Sequence, residues 1–396
     1  MAILDTAAQT FAGITNENEF FGHHYLAEVF RGDIRNQLDA WLAREEATKG
    51  VDGVGRDGGS PSRPEIIRAP QKVLAGLGGR WFVGRKALAD ARDEDAFREA
   101  FLDLQRPLLA ALGYTVAPDV ATLVDGHPFR VWCRAGQHPA SHAASRVLVI
   151  PAAAYRHLED DLLDQPIDVS LYPGAAPEHA RDATWADWLS DAVFGADEGA
   201  PRFVLLLGAD DWLLLDRLKW PNNRALRLSW GEILDRRDTP TIEATAALLH
   251  RESLAPDEGT PLLDGLDENA HKHAFGVSED LKYALREAIE LLGNEAARQL
   301  RAQAEAKKLS VFAGRAELDA EQLSLECLRL MYRLLFVFYI EARPELGYVP
   351  IRSEMYLKGY SLEALRDLEL VQLDTPRARD GLFFDDSLRR LFRLIH

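Results

Sequence analysis

Residues 322–345, QLSLECLRLMYRLLFVFYIEARPE, constrain the fold more than any other stretch of this chain. Leu328, Met331, Leu335 and Tyr339 recur at helical spacing, and Leu330, Leu334 and Phe338 widen the apolar face. A helix that is apolar around most of its circumference is normally buried, so the segment predicts a core helix. Its charged stripe is Glu326, Arg329 and Arg333, at spacings of three and four that allow pairing on one face. The uninterrupted apolar run, 334–340, is far short of the ~20 residues that cross a bilayer, and no membrane span is expected.

The charge balance narrows the partners. With 46 basic and 63 acidic side chains the formal charge is −17. A protein that grips duplex DNA by itself usually presents a basic surface, because phosphate neutralisation supplies most of the affinity. Either the DNA grip lies in a part that is absent, or a local basic patch works against an acidic background; the first is the expectation. The two cysteines, Cys133 and Cys327, are far apart and form no C-x-x-C, which fits a reducing compartment and argues against a cysteine zinc site. MAILDTAAQTFAG has no basic region followed by an apolar one, so no secretory signal is expected and the chain is read as cytoplasmic.

Three segments follow from patterning along the 396 residues: a helical segment and flexible loop over 1–60, an α/β domain over 61–240 and a helical connector over 241–396. Asn18 is placed to cap helices over 16–46, and KGVDGVGRDGGSPSRPE (49–65) reads as a loop or boundary. GLGGRWFVGR (76–85) lacks the G-x-x-x-x-G-K-[ST] order and is read as a turn rather than a phosphate cradle. Phe97, Phe101, Leu104, Leu108 and Leu112 mark a helix stopped by Gly113. Strands are expected at 121–125, 129–133, 146–152, 202–208, 212–217 and 225–230. The fourth and fifth form a hairpin and, apolar on both faces, belong in the middle of a sheet. Ser278 is expected to cap a long helix bearing Leu281, Leu285, Ile289, Leu292, Ala296 and Leu300. SLRRLFRLIH (387–396) reads as an amphipathic element or a strand that stops abruptly, as in a truncated chain.

The run MYRLLFVFYIEARPELG resembles the helical connector just ahead of the catalytic domain in large Eco57I-like DNA adenine methyltransferases. These belong to type IIG restriction–modification and related phage-defence systems such as DISARM and BREX. NENEFFGHHYLAEVF, RFVLLLGADDWLLLDRLKW and HKHAFGVSEDLKYALREAIELLGNEA are similar to the same group. The resemblance covers core segments and carries no catalytic signature. It implies S-adenosylmethionine and DNA as ligands of a parent enzyme, possible defence-system partner subunits, and a methyltransferase domain beyond His396. Within this chain no glycine-rich F-x-G-x-G turn follows a strand and no Pro-Pro pair exists, so neither cofactor binding nor methyl transfer is assigned to its residues.

The order of elements over 95–217 is that expected of a PD-(D/E)xK nuclease core, in degenerate form. Such a site needs an acid at the end of one strand and Glu-x-Lys on the next, to hold magnesium and activate water. Asp125 is the weak candidate for the first acid, but Ile150-Pro151-Ala152-Ala153 stands where Glu-x-Lys should fall. His23–His24 and His271 with His273 lack a third ligand, and no metal is expected; the second pair would share an ion only on an extended segment. Arg329 and Arg333 are read as paired with Glu326 or Glu341, or else as phosphate contacts. With Lys282, Lys307, Lys308 and Arg315, beside the basic run HKHAF (271–275), they make up the candidate DNA-binding set. Three readings result: the non-catalytic amino-terminal part of a DNA adenine methyltransferase, an assembly module of a defence complex without chemistry, and a magnesium-dependent endonuclease.

Overall fold

The computed structural model describes residues 11–49, 67–122, 126–138, 141–155, 160–195, 200–310 and 318–343, and 347–395 apart from 352, 367, 369–370, 372–373, 376–377 and 379. The protein is mixed α/β and divides into two compact units, Met1–Phe275 and Gly276–His396. The expected boundaries at 60 and 240 differ from this division. The amino-terminal segment supplies a strand to the sheet, and residues 241–275 belong with the first unit.

The strands of the first unit are β1 (Ile14–Glu17), β2 (Asp119–Thr122), β3 (Pro128–Val131), β4 (Cys133–His138), β5 (Ser141–Pro151), β6 (Phe203–Leu207), β7 (Asp211–Asp216) and β8 (Ala225–Ser229). Six of them form a sheet in the order β1-β8-β7-β6-β5-β4, and β2 and β3 form a separate two-stranded sheet. Only β5 and β6 run parallel, joined by the crossover through residues 152–202; the other neighbours are antiparallel. The apolar runs of β6 and β7 pair as the expected hairpin in the centre of the sheet, where every residue of β6 is buried. Side-chain alternation then splits the core in two. Val147, Val149, Leu205, Trp212 and Leu214 face the helical layer, whereas Leu148, Ile150, Val204, Leu206 and Leu213 face Trp185, Trp188 and Leu189 of the crossover.

The helical layer follows the sequence in part. Glu94–Ala111 starts at Asp93, whose carboxylate accepts from Ala96 N–H, and Gly113 at φ +78° ends it as expected. Gly78–Ala89, by contrast, is a helix and not a turn. Gly84 serves packing: a Cβ on it would stand 3.0 Å from Leu104 Cδ1 of the neighbouring helix. Asn18 caps nothing. It sits at φ +50° after β1 and its amide donates to Asn223 O at 2.7 Å, while the first long helix begins at Arg35.

His250 closes this layer and gives it a pH dependence. Its Nδ1 accepts from Glu252 N–H at 3.1 Å, which requires a neutral ring, and the ring packs on Trp41 at 4.7 Å. Burial, with Arg251 and Arg44 nearby and against the pull of Glu252, lowers the imidazole to about 4. Below its ordinary value of about 6.5 the unfolded chain binds a proton that the folded chain refuses. Stability therefore falls between about pH 6.5 and pH 4, by at most about 1.4 kcal/mol per pH unit from this group, and is unaffected by it above that window. Urea midpoints at pH 7 and pH 5 should differ more for the native chain than for His250→Asn, which keeps a capping acceptor; equal losses in both would sink this account.

The helix Leu262–Ala306 carries on through Ser278, so that residue is not a cap. In the second unit Ala320–Glu341 is capped by Asp319, whose carboxylate accepts from Glu321 and Gln322 N–H. It is not the all-round core helix that its composition suggests: Cys327, Val337 and Ile340 are buried, while Tyr332, Phe336 and Tyr339 lie open. Glu341 does not meet Arg333. It accepts from Tyr356 Oη at 2.8 Å and from Leu362 N–H, and burial raises its carboxyl. Residues 383–395 form an amphipathic helix rather than a strand. Among the described residues no helix is long and apolar enough to cross a membrane.

Candidate functional site

Strand β7 ends in a charge. Asp216, paired across the sheet with Phe203, is completely buried. A carboxylate at the end of a strand covered on both faces has no water to turn to, so protein groups must meet it. Arg202 brings its guanidinium within 2.8 and 2.9 Å of the two carboxylate oxygens, and Leu218 N–H donates to Oδ1 at 2.9 Å. Burial still outweighs these contacts and holds the Asp216 carboxyl above its usual range.

Lys219 follows three residues later and points inward. Its Nζ donates to Phe20 O at 2.5 Å and to Asp267 Oδ1, and stands 4.1 and 4.2 Å from the Phe20 and Phe21 ring centroids. Burial lowers this amine, with the Asp267 carboxylate pulling the other way. Arg202 also reaches Asp264 at 3.2 Å. Nearby, Tyr25 Oη donates to Asp33 at 2.7 Å and Asn269 Nδ2 donates to the same oxygen at 3.1 Å; burial first, then Asp33, raises the phenol. One polar network thus joins the amino-terminal segment, the end of β7 and the first turns of Leu262–Ala306. Each cation in it is met by a carboxylate, so the arrangement holds three segments together and presents no free nucleophile.

The histidines meet in an unexpected pairing. His24 and His273 stack edge to face at 4.9 Å, and His271 Nδ1 lies 2.8 Å from Asp267 O. His271 and His273 sit on a continuous helix, not an extended segment, so their side chains diverge by roughly 200°. Among the described residues no group of three His, Cys, Asp or Glu is placed to hold a metal ion. Cys133 and Cys327 are free thiols, both buried.

Among the candidate DNA-binding residues, Lys282 stands apart from Lys307 and Lys308. Lys282 is exposed on Leu262–Ala306, beside a groove of about 480 Å³ lined by Leu281, Leu285 and Ile289. Lys307 and Lys308 follow the end of the same helix, 25 residues on from Lys282, which is about 37 Å at helical rise. Arg329 pairs with Glu326 at 3.0 Å as expected, and Arg333 lies 6.0 Å from the Phe392 ring. In HKHAF, Lys272 pairs with Glu268 at 2.7 Å. Asp125 and Arg315 lie outside the described residues. At the end of β5, Ile150 and Ala152 are buried and Ala152 N–H donates to Leu207 O, so the place of a Glu-x-Lys pair is taken by apolar sheet.

Sequence reasoning missed the Lys219 network because its members, Phe20, Asp216 and Asp267, are far apart in the chain. The one local signal was in WLLLDRLKW, where charges interrupt a run of buried apolar residues. Comparison of the chain with known protein families, curated proteins and solved structures gave no match.

Proposed function

We propose that this chain is the non-catalytic amino-terminal part of an Eco57I-like DNA adenine methyltransferase from a restriction or phage-defence system. The reading rests on the resemblance of the 331–347 run and the three earlier segments. In it, the α/β unit is a degenerate PD-(D/E)xK nuclease-like scaffold and the helices after it form a connector. The observation that supports the scaffold role is the succession of helix Glu94–Ala111, hairpin β4–β5, crossover and parallel β6, with apolar residues where a nuclease carries Glu-x-Lys. S-adenosylmethionine and DNA are ligands of the parent enzyme, and this chain would position its catalytic domain, the DNA or partner subunits. Sequencing the gene beyond codon 396 tests the assignment. A reading frame with a glycine-rich turn and an N-P-P-Y tetrad supports it, and a stop without one leaves the assembly-module reading.

That second reading draws on the same charge pattern. In the second unit Arg286, Arg298, Arg301, Arg329 and Arg389 each pair with a carboxylate three or four residues away, which leaves little positive field for phosphates. The purified chain is accordingly expected to give no mobility shift with unmodified duplex at low salt. A shift that weakens steeply with salt would place phosphate contacts within it and direct mutagenesis to Lys282, Lys307 and Lys308. Magnesium-dependent plasmid nicking, abolished by Asp125→Ala, would overturn the scaffold reading in favour of an endonuclease.

A further inference from the structure

The helix Ala320–Glu341 has two apolar faces. One carries Cys327, Val337 and Ile340 and is buried; Cys327 Sγ lies against Gly293 of the long helix, 3.9 Å from where a Cβ on that glycine would stand. The opposite face is open. Leu325, Leu328, Tyr332, Phe336 and Tyr339 form a continuous stripe on it, with Tyr332 71% exposed and Phe336 and Tyr339 each 53%.

The stripe is symmetric about Tyr332. Leu328 and Phe336 lie four residues away on either side, and Leu325 and Tyr339 lie seven away. Eleven residues away stand Glu321 and Arg343, opposite in charge, with the Arg343 guanidinium 5.7 Å from the Tyr339 ring. At 3.6 residues per turn, the positions from Glu321 to Tyr339 fall within an arc of about 80°.

We propose that this face pairs with the same face of a second copy of the chain, antiparallel about a two-fold axis at Tyr332. Such a pairing is isologous, the same patch serving both copies. It sets Leu328 beside Phe336 and Leu325 beside Tyr339 of the second copy, a smaller side chain against a larger one, and brings Glu321 to the Arg343 end. A parallel pairing would set Glu321 against Glu321 and ring against ring. Tyrosine, phenylalanine and arginine are also the side chains that anchor protein interfaces. Five such side chains per copy bury on the order of 1,000 Å² in all, the lower bound for a specific interface. The inference rests on the exposure and spacing of these side chains, and does not use the methyltransferase reading.

Sedimentation velocity on the full chain tests it. The expected result is a species of twice the 44.2 kDa chain mass at concentrations well above micromolar. Tyr332→Glu, which sets two like charges at the axis, should raise the dissociation constant at least about tenfold with an unchanged far-ultraviolet circular dichroism spectrum. A short bis-maleimide should cross-link Tyr332→Cys but not Leu325→Cys, whose two copies stand about 21 Å apart along the helix axis. A chain that stays monomeric, a dimer indifferent to Tyr332→Glu, or cross-linking of Leu325→Cys as readily as of Tyr332→Cys would overturn the proposal. The cross-linking comparison stands even if Tyr332→Glu fails to fold.

Discussion

Lys219→Ala is expected to destabilise the first unit by about 3–5 kcal/mol, the usual cost of removing one partner from a buried ion pair. The lysine is 9% exposed, and its ammonium is the group that meets both Asp267 and the Phe20 carbonyl. Alanine would leave the carboxylate without its cation, the carbonyl without a donor, and a gap under the faces of Phe20 and Phe21. The pair itself is worth less than its rupture, since burial already disfavours the charged amine. Lys219→Met with Asp267→Leu should therefore recover a large part of the loss, and urea unfolding of the two single variants and the double variant measures the coupling. If the double variant is as unstable as the sum of the singles, the network does not clamp the three segments together.

Trp212→Ala is expected to cost about 3–5 kcal/mol through the cavity alone. Trp212 is fully buried on β7 and packs edge to face on Trp230 at 4.9 Å. Its indole N–H donates to Gln105 Oε1 at 2.9 Å, and Gln105 Nε2 donates to Gly208 O at the hairpin turn. Truncation therefore also strands the acceptor of a wholly buried glutamine, at about 1–3 kcal/mol. Trp212→Phe separates the two contributions, because it fills most of the space and removes only the donor. Calorimetric melting that shows Trp212→Phe to be as harmful as Trp212→Ala would assign the loss to the hydrogen bond rather than to packing.

What the sequence revealed depended on how local the cause was. The β6–β7 hairpin was legible because two apolar runs flank a short polar turn, and the helix from Glu94 because Asp93 caps it and Gly113 ends it. β1 was not legible: four residues, Ile14–Glu17, become a strand only through β8, far along the chain. Gly78–Ala89 misled because glycine signals a turn in sequence, whereas here it permits close helix packing. The helix from Ala320 misled in the other direction. Apolar character around its circumference predicts burial, but periodicity reports which residues share a face and not whether that face is covered. The Lys219 network escaped for the same reason as β1, since Phe20, Lys219 and Asp267 have no spacing that links them.

The place of β1 has a consequence for how the protein is made. It is translated long before its partner β8, in which Leu228 pairs with Ile14, 214 residues later. At about 5–20 residues per second, translation leaves it waiting on the order of ten to forty seconds. Over that interval β1 has no partner strand, and a strand with open hydrogen-bonding groups invites pairing with other chains. Deleting residues 14–17 would leave β8 as an open edge of the folded sheet. A strand made long before its partner is thus the one that covers β8 in the finished sheet.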